Sequence, residues 1–136
     1  MGSASLSGFL LDTHVWLWHL GGNKELPRGL SRSIDESRAD CWLSPISVWE
    51  VGTLARRRRI RLSAPFLDWT REALRKLPLQ EAEITVEVAL ATDEVDANVT
   101  DPADRFLAAT AVVYDLTLLT VDGRLTRAKG IPTRSR

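Results

Sequence analysis

Three short apolar runs, each ended by a polar residue or a turn signal, constrain the fold of this chain more than any other feature. They lie at residues 9–11 (FLL), 41–43 (CWL) and 117–121 (TLLTV). Because the runs are continuously apolar rather than alternating, they predict strands that are buried on both faces. Helical segments separate them, so the sequence predicts a three-layer α/β/α sandwich with a central parallel sheet of four to five strands.

Serine–proline and aspartate–proline pairs mark two helix starts. Ser44-Pro45 and Asp101-Pro102 each predict an N-cap followed by proline at the first helical position. The first helix is expected to end near Arg59 and the second at Tyr114. Thr13 is expected to cap a helix after the first strand. Further elements are predicted as helices over 31–38, 64–77 and 86–91, a short strand over 81–84 and an edge strand near Ile131.

Length and composition favour one domain, over residues 9–136. Residues 1–8 are rich in glycine and serine, and we interpret them as a leader that is either disordered or left over from cloning. A lone cysteine, Cys41, suits a reducing compartment, and no apolar stretch is long enough for a membrane helix. We therefore expect a cytoplasmic protein with no membrane partner. The 18 basic and 18 acidic residues balance, so any binding of nucleic acid needs a local basic patch.

Four acids stand where a parallel sheet places its ligand sites, at the carboxyl ends of strands or in the helices just beyond. They are Asp12, Glu50, Asp104 and Asp122. Carboxylates gathered in one pocket repel one another, and a divalent cation relieves that repulsion. All-oxygen ligands without cysteine or paired histidines favour Mg²⁺ or Mn²⁺ over Zn²⁺.

Each acid also has a purely structural interpretation. Asp12 and Asp122 are suited to capping or turn positions, and Asp104 to the first turn of a helix. Glu50 follows Ser47 at the spacing of a capping box, although Pro45 argues for an earlier helix start. The metal-site hypothesis depends on the shared placement of the four acids.

Four segments resemble the motifs of PIN domains, especially VapC-type toxins, and they occur in the family's order. These segments are residues 11–16 (LDTHVW), 44–51 (SPISVWEV), 101–111 (DPADRFLAATA) and 118–122 (LLTVD). The resemblance implies metal-dependent cleavage of RNA that leaves 5′-phosphate and 3′-hydroxyl ends, by the toxin of a type II toxin–antitoxin pair. It also implies a homodimer and a cognate antitoxin partner.

The resemblance places the metal-binding acids at Asp12, Glu50 and Asp104, with the more variable fourth acid at Asp122. Thr120 falls on an accessory hydroxyl position. Asp101 also matches a family position, and we interpret it as the helix cap.

Other polar and aromatic residues support narrower hypotheses. Arg105 is expected to pair with a neighbouring carboxylate, and His14 to pack rather than bind metal. The arginines at 56–59 and 61 either end a solvated helix or contact phosphates or an acidic partner. Most of the five tryptophans should be core, while one or two, with Leu17 and Leu20, could form a dimer surface or an antitoxin groove.

Rival functions remain open at this point. The main alternative is a non-catalytic PIN-like module that binds RNA or a partner. A haloacid-dehalogenase phosphatase would need a second aspartate where His14 stands, and a receiver domain would need a lysine after a late strand. No G-x-G-x-x-G follows the first strand, which argues against a dinucleotide-binding enzyme.

Overall fold

The computed structural model describes residues 8–136, so residues 1–7 of the expected leader lie outside the described part. Gly8 already belongs to the fold, because it is buried and its carbonyl accepts a hydrogen bond from the Thr117 amide at 3.0 Å. A Cβ atom at this position would lie 2.2 Å from the Asp40 carbonyl oxygen. Only glycine lets these two backbone segments come so close.

Short strands alternate with helices along the described chain, as the apolar runs predict. The elements in order are β1 (Phe9–Leu11), α1 (Thr13–Gly21), α2 (Arg28–Glu36), β2 (Cys41–Leu43), α3 (Pro45–Arg56), α4 (Phe66–Lys76), β3 (Gln80–Glu81), α5 (Val86–Ala91), α6 (Pro102–Val113), β4 (Thr117–Leu119), α7 (Gly123–Thr126) and β5 (Thr133–Arg134).

All pairings in the sheet are parallel, and the strand order is β3-β2-β1-β4-β5. The chain builds outward from β1 to β3 and then returns to the other side of β1 with β4. The order therefore reverses between β1 and β4, which opens a crevice at their carboxyl ends. This switch point is where the chain places Asp12 and Thr120.

Successive residues of the central strands point to opposite faces, and each face has its own core. Leu11 and Leu119 pack with α1 and α2, whereas Leu10 and Leu118 pack with α6. All four leucines are fully buried. The two cores on opposite faces establish the predicted three-layer α/β/α arrangement around five parallel strands.

Most aromatic residues are half-buried against one of the two cores, and the cysteine is internal. Trp16 is fully buried and meets the ring of Trp69 edge-on at 5.5 Å, but Trp49 is 56% exposed. Cys41 is buried as expected, and burial raises the pKa of its thiol to about 11. His14 packs edge-on against Trp18 at 6.0 Å, which agrees with the packing role predicted for it. No helix of the described residues is long and apolar enough to span a membrane.

Element boundaries differ from prediction at several ends. The strand expected over 81–84 is confined to Gln80–Glu81, and the edge strand lies at Thr133–Arg134 rather than at Ile131. The first helix is capped by Asp12 instead of Thr13. The helix expected to reach Arg59 ends at Arg56, because the backbone turns left-handed at Arg58.

Candidate active site at the carboxyl edge of the sheet

Asp12 directly follows β1 and is held by hydrogen bonds on both carboxylate oxygens. One oxygen accepts from the Thr13 amide at 2.7 Å, and the other from the Thr120 hydroxyl at 2.6 Å. The side chain is 7% exposed. Burial raises the pKa of Asp12, an effect that the nearby Glu50 charge increases and the two hydrogen bonds oppose. Asp12 is therefore a fixed, poorly hydrated carboxyl group at the switch point.

Thr120 and Asp122 follow β4 on the other side of this crevice. The buried Thr120 hydroxyl donates to Asp12 and accepts a hydrogen bond from the Asp122 amide at 3.1 Å. The Asp122 carboxylate accepts from the Arg124 amide at 2.8 Å and caps α7. Asp122-Gly123 is thus the start of a short helix rather than a simple turn. Thr120 links the two strand ends through one hydroxyl group.

Asp101 and Asp104 lie at the start of α6. The Asp101 carboxylate accepts from the Asp104 amide at 3.0 Å, with Pro102 at the first helical position, which is the capping role predicted for Asp101. Burial raises the pKa of Asp104 to about 7, helped by the charges of Asp12, Asp101, Asp122 and Glu50, in that order. The candidate acids therefore share one electrostatic environment although they are remote in sequence.

Glu50 lies in the second turn of α3, whose N-cap is Ser44. The Ser44 hydroxyl accepts from the Ile46 amide at 3.1 Å, so the capping-box interpretation of Ser47 and Glu50 is wrong. Ser47 instead accepts a hydrogen bond from the Thr13 hydroxyl at 2.9 Å, and both residues are fully buried. This contact joins α3 to α1 one turn before Glu50.

Sequence reasoning assigned no site role to Ser47 and assigned Thr13 only a capping role. Their pairing orients the helix that carries Glu50 relative to the one that Asp12 caps. Both hydroxyls occur among apolar helical neighbours, a position where a polar side chain usually needs a buried partner. That was the available signal, but the sequence alone does not say which two hydroxyls meet.

Arg105 does not pair with a carboxylate, so that prediction is wrong. Its guanidinium donates to the carbonyl oxygens of Thr92, Val95 (3.1 Å), Asp96 (3.2 Å) and Val99 (2.8 Å). These carbonyls belong to the segment that leads into the Asp101 cap. Arg105 thus fastens that segment to the first turns of α6, where Asp104 lies.

Comparison with known proteins agrees with this fold and arrangement of motifs. The sequence pattern of the PIN domain matches residues 9–131. The chain belongs to the PIN-domain family. Ribonuclease VapC22 of Mycobacterium tuberculosis (strain ATCC 25618 / H37Rv) is a relative that is 32% identical over 119 residues, which cover 85% of this chain and 88% of that protein. The resemblance predicted from the four motifs is confirmed.

Two solved structures share the PIN fold with this chain. One is VapBC2 from Rickettsia felis bound to a DNA fragment from their promoter, at 13% identity, and the other is DNA-bound VapBC from Salmonella typhimurium, at 18%. In both cases the TM-score is 0.69, and the match covers 93% of this chain and 96% of the other. At these identities the likeness establishes the fold alone.

The acids of this PIN domain suit a hard divalent cation by chemistry, because their donors are carboxylate oxygens and their negative charges raise the pKa of Asp104. Within residues 8–136, however, no three His, Cys, Asp or Glu side chains are arranged as a ready metal-binding group. The charges of these acids affect one another, but their oxygens are not arranged around one ion position.

Proposed function

We propose that this PIN domain is a metal-dependent endoribonuclease that hydrolyses RNA phosphodiester bonds to 5′-phosphate and 3′-hydroxyl ends. The observation that supports this most is the convergence of acids that are remote in sequence. Asp12, Asp101, Asp122 and Glu50 lie close enough to Asp104 for their charges, together with burial, to raise its pKa to about 7. Such an environment favours binding of Mg²⁺ or Mn²⁺. The 32% identity to ribonuclease VapC22 supports the same activity.

Asp12, Glu50 and Asp104 would hold the ion, with Asp122 contributing directly or through water. When bound, a divalent ion lowers the pKa of a coordinated water and offsets the charge that develops on a phosphate during cleavage. The chain's own contribution is to fix the ligands. The Thr120 hydroxyl orients Asp12, and the Asp101 cap holds the helix turn that carries Asp104.

Cleavage of a generic single-stranded RNA tests this function. We expect products with 5′-phosphate and 3′-hydroxyl ends in Mg²⁺ or Mn²⁺ and no cleavage in excess EDTA. Products with 2′,3′-cyclic phosphate ends, or full activity in EDTA, would contradict the proposal. RNA binding without metal-dependent cleavage would instead support the alternative of a non-catalytic binding module.

We further propose that the chain is the toxin of a type II toxin–antitoxin pair in the cytoplasm, with an antitoxin seated between α1 and α4. A cavity of about 590 Å³ there is lined by Leu17, Trp18 and Leu20 of α1 and by Trp69 of α4. The lining also includes the charged residues Arg61, Asp68, Glu72 and Lys76. A groove with apolar and charged parts can accept an amphipathic helix. The relation to VapC22, and the VapBC assemblies that share the fold, support this partner.

Assembly can be measured separately from activity. Co-expression with the product of an adjacent gene, followed by light scattering, should give a complex whose toxin is a homodimer. Trp18→Ala should weaken the complex, and Trp49→Ala, at an exposed site outside this cavity, serves as the matched control. If the two substitutions weakened the complex equally, the antitoxin would not bind specifically in the cavity between α1 and α4.

A further inference from the structure

Five arginines, at Arg56–Arg59 and Arg61, lie at the C-terminal end of α3 and in the segment that leads to α4. We call these five residues the arginine turn. All five are exposed. The whole chain has 18 basic and 18 acidic residues and no net charge. The turn is therefore a local positive patch on a protein whose remaining residues are acidic overall, with 13 basic against 18 acidic side chains. Attraction of a polyanion to this chain requires such a local patch.

The helix dipole does not account for the patch. Cations suit the last turn of a helix, but the effect fades within that turn, and only Arg56 lies inside α3. Carboxylates do not account for it either. In the described part of the chain the ion pairs join His19 to Asp35, Arg38 to Asp35, and Arg75 to Glu72, so none includes the arginine turn. No ion pair within residues 8–136 neutralises these five charges, so they repel one another.

The backbone of the turn is ordered and strained. The Arg59 amide donates to the Leu54 carbonyl at 2.9 Å and the Arg58 amide to the Ala55 carbonyl at 3.0 Å. These two bonds form a Schellman motif, in which the residue at Arg58 must be left-handed and is usually glycine. Arg58 has a φ of 57°. Asp115 has a similar φ of 55°, so this backbone alone does not mark a functional residue, but it fixes where the Arg58 side chain leaves the turn.

An aromatic side chain lies in the same concave surface. Arg58, Arg59, Arg61 and Phe66 line a cavity of about 680 Å³, and Phe66 is 36% exposed. A Cβ atom at Gly52 would lie 3.0 Å from the Phe66 ring and 3.3 Å from an Arg56 nitrogen. Guanidinium groups beside a partly exposed ring match what single-stranded nucleic acid needs, with cations for phosphates and a flat face for a base.

The arginine turn begins at the C-terminal end of α3, the helix that carries Glu50. Arg57 follows Glu50 by seven residues and lies just past this end, on the same side of the helix as Glu50. With a rise of 1.5 Å per residue, they are about 10 Å apart along the helix axis. Gly52, which faces Phe66, comes two residues after Glu50 and therefore lies on roughly the opposite side of α3. A strand that runs from the acids to the Phe66 cavity would have to pass around the end of this helix. An acidic peptide would account for the charges but not for the ring.

We propose that the arginine turn and Phe66 form a binding site for the phosphates and one base of a single-stranded RNA. The site deepens the proposed function, because it would hold the strand that is cut at the acids. Binding to the turn needs no metal, however, so it can be measured whether or not the protein cleaves RNA.

The test is binding of a labelled single-stranded RNA of about 12 nucleotides, followed by fluorescence anisotropy in EDTA across a salt series. Arg57→Gln with Arg59→Gln should weaken binding roughly tenfold or more and reduce the salt slope by about 1.4, from about 0.7 for each lost phosphate contact. The matched control is Arg28→Gln with Arg32→Gln, which removes two exposed charges from α2. Equal effects of the two pairs would overturn the proposal.

Arg58→Gly separates a binding role from a structural one. Glycine relieves the left-handed backbone, so the melting temperature should rise by roughly 3–5 °C while RNA affinity falls. Phe66→Leu should reduce affinity without changing the salt slope, since it removes a stacking face and no charge. A stabilised Arg58→Gly protein with unchanged RNA affinity would overturn the proposal.

The remaining outcomes distinguish this site from its rivals. If the arginine variants lose binding of poly-glutamate but keep RNA affinity, the turn binds an acidic protein segment and the proposal is wrong. If the wild type does not bind RNA in EDTA, it is also wrong. If the arginine pair controls RNA binding but no metal ion supports cleavage, this site stands and the proposed nuclease activity fails.

Discussion

The acidic edge of the sheet (Asp12, Glu50, Asp101, Asp104 and Asp122) and the arginine turn are held in place by the fold in different ways. Asp12, Asp101 and Asp122 each cap a helix, so the residues that shape the acidic edge also stabilise the fold. In the arginine turn, the hydrogen bonds that shape the loop come from the backbone, and Arg58 holds a conformation that disfavours its side chain. Folding therefore fixes the side chains of the capping acids, whereas in the arginine turn it fixes the backbone.

This difference predicts how function and stability are coupled. Asp12 and Asp104 are held in poorly hydrated surroundings, which raises the pKa of both carboxyl groups and disfavours their charged forms. The arginines stay hydrated and lose little by being charged. Changes at the acidic edge should therefore alter stability and activity together, and changes in the turn should alter binding with little effect on stability.

Asp12→Asn should have the largest effect on activity. Losing an outer-shell partner of a metal ligand costs roughly 10–100-fold, and loss of the carboxylate itself should exceed this. Asparagine keeps the size of the side chain and removes a buried charge, so the metal-free protein should melt no lower than the wild type. RNA cleavage and thermal melting in EDTA measure the two effects. Asp93→Asn, at an exposed position, is the control, and an active Asp12→Asn protein would end the metal-site proposal.

Arg105→Lys should have the largest effect on stability. Lysine cannot reproduce the guanidinium's contacts with the carbonyls of Thr92, Val95, Asp96 and Val99. We expect a loss of about 2–3 kcal/mol in the free energy of unfolding, because hydrogen bonds to a charged group are lost. Urea denaturation checks this. A change below about 0.5 kcal/mol would mean that the 92–99 segment does not depend on Arg105.

Thr120→Val should reduce Mn²⁺ affinity roughly 10–100-fold, because it removes the hydroxyl that orients Asp12. Valine has nearly the same shape, so a purely steric role would show no change. Thr120→Ser keeps the hydroxyl and should restore most of the affinity. Calorimetric titration with Mn²⁺ measures the difference without an activity assay. Equal affinities in the valine and serine variants would exclude an orienting role for the hydroxyl.

The sequence predicted the parts of this molecule that are set by local chemistry. Apolar strands and proline-marked helix starts are encoded in neighbouring residues, and β1, β2 and the starts of α3 and α6 lie where predicted. The contacts of Arg105 could not be predicted from the sequence. Its partners are backbone carbonyls of a loop, and no pattern of side chains records which carbonyls a fold leaves unpaired.

The same limit applies at the site. The strand-end rule predicted which acids would share an environment, and the pKa of Asp104 reflects it. The pairing of Thr13 with Ser47 was not predicted, because it depends on how two helices cross. Likewise, Arg58 was counted inside a helix, since arginine gives no signal of the left-handed backbone that glycine would have given.

The pH dependence of metal-free stability tests the acidic edge without metal or RNA. Folding raises the pKa of Asp104 from 3.8 to about 7, so ionisation disfavours the folded state. Stability from this group should therefore be highest below pH 4 and fall as the pH rises to 7. Melting in EDTA should show the decline, and Asp104→Asn should flatten it. An identical slope in the variant would show that other groups cause it.

The smallest effect should come from Arg57→Gln with Arg59→Gln, which tests the other half of the comparison. Both side chains are exposed and outside any ion pair found in residues 8–136, so unfolding free energy should change by less than about 0.5 kcal/mol. Relief of mutual repulsion favours a small gain, which added salt should abolish because it screens the wild-type charges. Urea denaturation at low and high salt measures both. A loss above 1 kcal/mol would mean that these arginines stabilise the fold. The acidic edge and the arginine turn would then both couple function to stability, and the contrast between them would fail.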